Sequence, residues 1–165
     1  MHVKSLFAAV SLLLAGALTA AALYAQSPKP SPAKPASPAT PKVSMPPFPG
    51  VGYAGARPVN VAHAAYRFAA EHPEILKYVP CYCGCESNGH TGNESCFVVR
   101  RDASGNVTEW EPHGYGCAVC IDVAREAEQL FRSGADVVAI RGAIERKWTP
   151  KYPTKTPTPM PQRRP

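Results

Sequence analysis

Six cysteines in a chain of 165 residues fall into two close sets and one single residue. Cys81, Cys83 and Cys85 follow a C-x-C-x-C spacing, and Cys117 and Cys120 follow C-x-x-C. Cys96 lies between them, with His90 in the first loop and His113 four residues before Cys117. Thiolate is a soft ligand and selects Cu(I), Zn(II) or iron–sulfur, while imidazole suits copper and zinc alike. Residues two apart in an extended segment share a side, so the first set can turn its sulfurs towards one point, with Gly84 relieving crowding. A C-x-x-C at a helix start also converges two sulfurs, and the helix N-terminus stabilises their negative charge. Six thiolates exceed the four that one tetrahedral zinc takes. The surplus points to a polynuclear cluster, which Cu(I) favours, or to a division between metal and disulfide. The expected metal ligands are Cys81, Cys83, Cys85, Cys96, Cys117 and Cys120, with His113 or His90 completing or orienting the site.

These residues need elements to carry them. Val59 to Ala70 reads as a helix, with Val61, Ala65, Phe68 and Ala69 on one stripe, Tyr66 beside it and Asn60 as a cap. Pro73 breaks or restarts it, and Pro80 ends the next turn. The cysteine cluster therefore begins where a helix is forced to stop. Cys81 to Ser95 is a Gly-, Asn- and Ser-rich loop. Phe97 to Arg101 and Val107 to Trp110 read as a short hairpin around the turn Asp102 to Asn106. Cys117 to Arg132 is the strongest helix, on the stripe Val119, Val123, Ala127 and Leu130. Gly134 fits its C-terminal cap. Asp136 can cap a last helix, Val137 to Lys147, with Val138, Ile140 and Ile144 inward. The fold class is mainly α: a small cysteine-rich helical domain with a short β-hairpin, flanked by disordered Pro-rich segments.

The flanks set the context. Residues 1–25 have the basic start, apolar run and small-residue end of a secretory signal, with cleavage expected after Ala25. Residues 26–56 are a Pro-, Ala-, Ser- and Lys-rich linker, and residues 149–165 repeat that chemistry as a basic tail. Met45 and Met160 lie in these flanks and are not expected to ligate. The folded part is 57–148, a domain small enough to need cross-links or metal. The formal charge of +6 overstates its basicity. Between Arg57 and Pro150 stand ten Lys and Arg against twelve Asp and Glu, a net of −2. No basic face for nucleic acid follows. The mature chain is expected in the periplasm or outside the cell. Membrane association is expected only through an uncleaved N-terminal segment, and no cysteine near the cut offers a lipid anchor.

Export keeps two other readings open. An even cysteine count in an oxidising compartment often means disulfides, and six cysteines allow fifteen full pairings. Cysteines two apart pair poorly, so Cys81, Cys83 and Cys85 would each need a partner among Cys96, Cys117 and Cys120. A thiol–disulfide oxidoreductase would use Cys117-Ala118-Val119-Cys120, although no thioredoxin-like strand order precedes it. No Ser-His-Asp arrangement, carboxylate pair or phosphate loop stands out, so catalysis is not the expected role. His63 and His72 read as surface or helix-end residues, and Trp110 and Tyr115 as packing residues that shield the site.

The string Pro80-Cys81-Tyr82-Cys83-Gly84-Cys85 resembles the naming motif of the PCYCGC-motif proteins. Tyr66 to Pro80, Gly89-His90, Cys96-Phe97, His113-Gly114, Cys117-x-x-Cys120 and the helix from Asp136 resemble that family in order and spacing. The resemblance covers about Tyr66 to Trp148. It implies an exported bacterial cysteine-rich domain, often lipid-anchored, and supplies no enzyme activity. The leading expectation is capture, buffering or transfer of Cu(I), with zinc or iron–sulfur as alternatives. The expected partner is another exported or membrane metal-handling protein.

Overall fold

A computed structural model describes residues 43–49 and 55–162 of the chain. The expected signal segment and most of the linker lie outside the described residues. All described residues fall in one unit, Pro35–Pro165.

Helix α1, Val59–Glu71, starts behind Pro58, whose fixed φ suits a helix entry. Asn60 was the expected cap, but it lies inside the first turn and no side chain caps this end. The buried stripe is Ala62, Ala65, Tyr66, Phe68, Ala69 and Ala70, rotated slightly from the expected one. Four small alanines let this face lie close along the helix that carries Cys120. The helix ends at His72, and Pro73 at the first position restarts the chain as α2, Pro73–Leu76. His72 is not a surface residue. It is 5% exposed, with its ring 4.3 Å from Phe131 and 5.0 Å from Phe68, and its Nδ1 is 3.0 Å from Glu74.

Strands β1, Val98–Arg101, and β2, Val107–Trp110, pair antiparallel with irregular register. The side chain of Asp102 accepts from the backbone N–H groups of Ser104 and Asn106, which closes the turn. Arg101 fastens the hairpin to α1 by donating to the Ala69 and Ala70 carbonyls near the helix end, and it pairs with Glu94. Phe97 packs edge-on against Tyr66 at 5.0 Å.

A short helix α3, His113–Gly116, leads into α4, Ala118–Arg132. Helix α5, Val137–Trp148, then crosses back. Gly134 takes the left-handed cap position, and the Asp136 side chain accepts from Ala139 N, as the sequence implies. Helix α4 packs on α1 and α5, burying Cys120, Ile121, Val123, Ala124 and Ala127. Ile140 and Ile144 of α5 are buried as expected. Among the described residues no helix is long and apolar enough to cross a membrane.

The described parts of the two flanks, in 43–49 and 149–162, pack on the domain instead of standing apart from it. Ser44 exchanges hydrogen bonds with the hairpin: its carbonyl accepts from Val107 N and its N–H donates to the Asn106 side chain. Phe48 stacks on His63 at 4.6 Å, and Trp110 donates its indole N–H to the Pro46 and Pro47 carbonyls. After a 3-10 turn at Thr149–Lys151, the tail folds back over the domain. Thr156 is 1% exposed. Buried Arg141 donates to the carbonyls of Tyr78, Thr158 and Pro159, bolting the returning tail to the turn before the first cysteine. Proline removes the tail's own donors, so its carbonyls are free to be captured by such a guanidinium.

Candidate metal centre

Pro80 ends the turn after α2, and the chain enters Cys81 and Tyr82 without regular secondary structure. The Sγ atoms of Cys81 and Cys83 lie 3.4 Å apart. Gly84 adopts φ +78°, a conformation that costs a residue with a Cβ but not glycine, and the chain turns into the 3-10 helix Cys85–Asn88. Cys85 thereby reaches Cys96, 3.8 Å away, while its sulfur stays within 4.8 Å of those of Cys81 and Cys83. Gly84 thus changes the direction of the third sulfur, beyond relieving crowding.

Cys96 closes the 3-10 turn Glu94–Cys96 just before β1, and its Sγ is 3.3 Å from that of Cys81. From the other side, Cys117 is the N-cap of α4, its sulfur accepting from Cys120 N. Cys120 lies one turn in, 3.4 Å from Cys81 and 3.5 Å from Cys83. The two sets therefore face each other as the spacing implies, and Cys96 joins them. All six cysteines are free thiols. Cys81, Cys85, Cys96 and Cys120 belong to the buried core, while Cys83 and Cys117 are half-buried.

Both expected histidines reach the cluster. His113 Nε2 is 3.5 Å from Cys83 Sγ, and His90 Nδ1 is 3.5 Å from Cys96 Sγ. Their rings meet edge to face at 5.4 Å. Three residues at this site escaped the sequence reading. Glu111 accepts from the backbone N–H of His113 through Oε1 at 2.9 Å, and its Oε2 lies 4.0 Å from His90 Nε2, so one carboxylate holds the backbone at one histidine and sits beside the ring of the other. Asn93, fully buried, donates from its N–H to Val79 O and from its side chain to Cys120 O. Thr156 in the tail holds Cys81 by two hydrogen bonds. Only the position of Glu111, two residues before His113, offered any signal. Trp110 packs its ring on Phe48 and Tyr66, and the Tyr115 ring lies 6.4 Å from that of His63. Trp148 and Tyr152 pack together on Tyr82, the motif's own tyrosine.

Crowded thiols share protons unequally. Hydrogen bonding from Cys120 first, then from Cys85 and Cys96, holds the Cys81 thiol near 4 against an ordinary 9.0. Cys117 first, then Cys120, likewise pulls Cys83 down. The donors move the other way. Donation to Cys81 pushes Cys85 up, and bonds to Cys117, Cys81 and Cys83 push Cys120 up. Cys96 rises with its bonds to Cys120 and Cys81. A site that lowers some thiols at the expense of others already carries thiolate character where a cation would sit.

Four sets of donors, each with its ligand atoms within 4.8 Å of one another, could hold a metal ion. They are Cys83–His113–Cys117–Cys120, Cys81–Cys83–Cys85, Cys81–Cys96–Cys120 and Cys85–His90–Cys96. Together they use every one of the eight expected ligands. Comparison with curated proteins and with solved structures gives no match. The profile of the proteins of unknown function with a PCYCGC motif matches residues 56–161, which takes in both cysteine sets, both histidines and the returning tail. By that match, across the whole folded body and the strap that closes it, the chain belongs to the PCYCGC-motif family.

Proposed function

We propose that this domain is a non-catalytic copper(I) protein that captures, buffers or hands on the ion outside the cytoplasm. One observation carries the reading: eight soft or borderline donors converge on one region, twice what a single tetrahedral ion uses. Softness of the donors favours Cu(I) among the metals available to an exported protein. A framework of disulfides accounts for the cluster less well. Cys81 has Cys83, Cys96 and Cys120 all within 3.3–3.4 Å, so no single partner is selected. Half-buried Cys83, Cys117 and His113 leave one side of the cluster within reach of a partner protein that donates or receives metal.

Titration of the reduced full chain with Cu(I) against a competing chelator tests the reading. The expected result is binding well tighter than micromolar. Weak or sub-stoichiometric uptake, with zinc retained instead, overturns it. The location is tested separately by fractionating cells that express the intact chain and weighing the product, with a cut after Ala25 expected.

A further inference from the structure

The four donor sets are not independent of one another. Cys83 belongs to the first and second, Cys81 to the second and third, Cys120 to the first and third, Cys85 to the second and fourth, and Cys96 to the third and fourth. Five cysteines are therefore each shared by two sets, and no cysteine is shared by three. Cys117, His113 and His90 each belong to one set alone.

We infer that this chain assembles a tetranuclear Cu(I) cluster in which those five thiolates each bridge two ions, while Cys117, His113 and His90 are terminal ligands. This rests on the copper reading above and gives it a nuclearity and a bonding pattern. The sharing pattern has a defined shape. Cys83, Cys81 and Cys120 link the first three positions pairwise, which is a six-membered ring of alternating metal and sulfur. In such a ring the three sulfurs form a triangle, and here they are separated by 3.4, 3.4 and 3.5 Å. Cys81, Cys85 and Cys96 link the second, third and fourth positions in the same way, with Cys81–Cys96 at 3.3 Å and Cys85–Cys96 at 3.8 Å. The two rings share Cys81, which is wholly buried. A metal–sulfur bond of about 2.3 Å puts two sulfurs on one three-coordinate ion about 4 Å apart, so the separations need only a slight expansion on loading.

The coordination numbers choose the metal. Three of the four positions offer three donors, and one offers four. Zinc takes four ligands in closed sites, so three positions would be left short. Cu(I), singly charged with a filled d shell, accepts trigonal sulfur. Charge points the same way: four monovalent ions offset most of the six thiolates in a largely buried site, where uncompensated charge is costly. Loading is ligand exchange without redox, with the remaining thiol protons released to solvent.

The ends of the cluster differ from its middle. Only the first and fourth positions share no sulfur, and each is closed by a histidine. Those two imidazoles are the pair that touch at 5.4 Å beneath Glu111. The first position has three half-buried ligands, Cys83, His113 and Cys117, and is where an ion enters and leaves.

Native mass spectrometry of the full chain, reduced and titrated anaerobically with Cu(I), tests the proposal. Shared bridges make loading all-or-none, so sub-saturating copper is expected to give the metal-free and four-copper species with little between. A tight plateau at any other number overturns the tetranuclear cluster while leaving the copper reading intact. No tight copper overturns both. X-ray absorption of the loaded wild-type chain is expected to show three sulfur or nitrogen neighbours and a copper–copper distance. Copper without a copper neighbour overturns the bridging pattern. Cys117→Ser, removing a terminal ligand, is expected to keep four ions and yield one to chelator about tenfold more readily. Loss of every ion from that variant, with the helical signal intact, counts against the assignment.

Discussion

Thr156 and Cys81 hold each other by two hydrogen bonds: Thr156 N donates to the Cys81 carbonyl at 2.9 Å, and Cys81 N donates to the Thr156 hydroxyl at 2.9 Å. These residues are 75 positions apart. The tail thus supplies the backbone partners that the first cysteine cannot find in its own loop. Thr156→Val keeps the shape and removes the acceptor for a buried N–H, which costs about 1–3 kcal/mol. Denaturant unfolding of the reduced, metal-free chain is expected to show that loss. Unchanged stability means the tail does not anchor the motif.

The Glu111 carboxylate accepts from the His113 backbone N–H and lies 4.0 Å from the His90 ring. Partners that orient a metal-ligating histidine typically carry about 10–100-fold in affinity. Glu111→Ala is expected to weaken copper retention within that range while the helical content stays. Chelator competition measures it, and affinity equal to wild type removes Glu111 from the site.

Gly114 follows His113 in a helix pressed against the turn that carries Cys96. A Cβ there would clash with the Cys96 carbonyl and come within 2.6 Å of the Phe97 ring. A backbone carbonyl cannot swing aside, so Gly114→Ala is expected to cost about 1–3 kcal/mol or more and to push His113 away from the sulfurs. Thermal unfolding of the metal-free chain gives the first effect, and copper affinity gives the second. A variant as stable as wild type refutes the close approach.

Acid is expected to weaken the reduced, metal-free fold. Cys81 and Cys83 titrate below the ordinary thiol value of 9.0, with Cys81 near 4. A depressed value in the folded state gives stability that is complete above the unfolded value and lost as pH falls towards the folded one. Cys85, Cys96, Cys117 and Cys120 are raised, so their contribution is complete below 9.0 and lost above it. Stability is therefore expected to rise from about pH 5 towards pH 9 and to fall beyond, apart from other groups' titrations. Denaturation curves across that range check it, and a profile that declines steadily from pH 5 contradicts it.

Much of the fold was legible because its signals are local. Pro73 ends one helix and opens the next, Pro80 follows the last turn before the cysteines, Asp136 and Gly134 cap helices, and Asp102 to Asn106 turn a hairpin; the structure agrees at each. The same holds for Cys117 and Cys120, since a C-x-x-C at a helix start converges by helix geometry alone. Asn60 failed as a cap because Pro58 set the helix start two residues earlier. His72 stands at a helix end, one of the two places read for it, but is buried there because Phe131, far away in sequence, closes over it.

The sequence by itself determined which atoms are available: six thiols, two nearby imidazoles, and the order of helices that brings the two cysteine sets into reach. Only the tertiary structure decided how they share. Spacing cannot show that Cys85 meets Cys96 as well as the other two cysteines of its motif, or that Cys81 ends beside three sulfurs from three segments. Nor can it show the Thr–Pro tail returning to Cys81, because proline-rich composition reads as unpaired until a buried Arg141 supplies its carbonyls with donors. Pairings across long sequence separations depend on how whole elements pack, and packing is a property of the assembled core rather than of any stretch of residues.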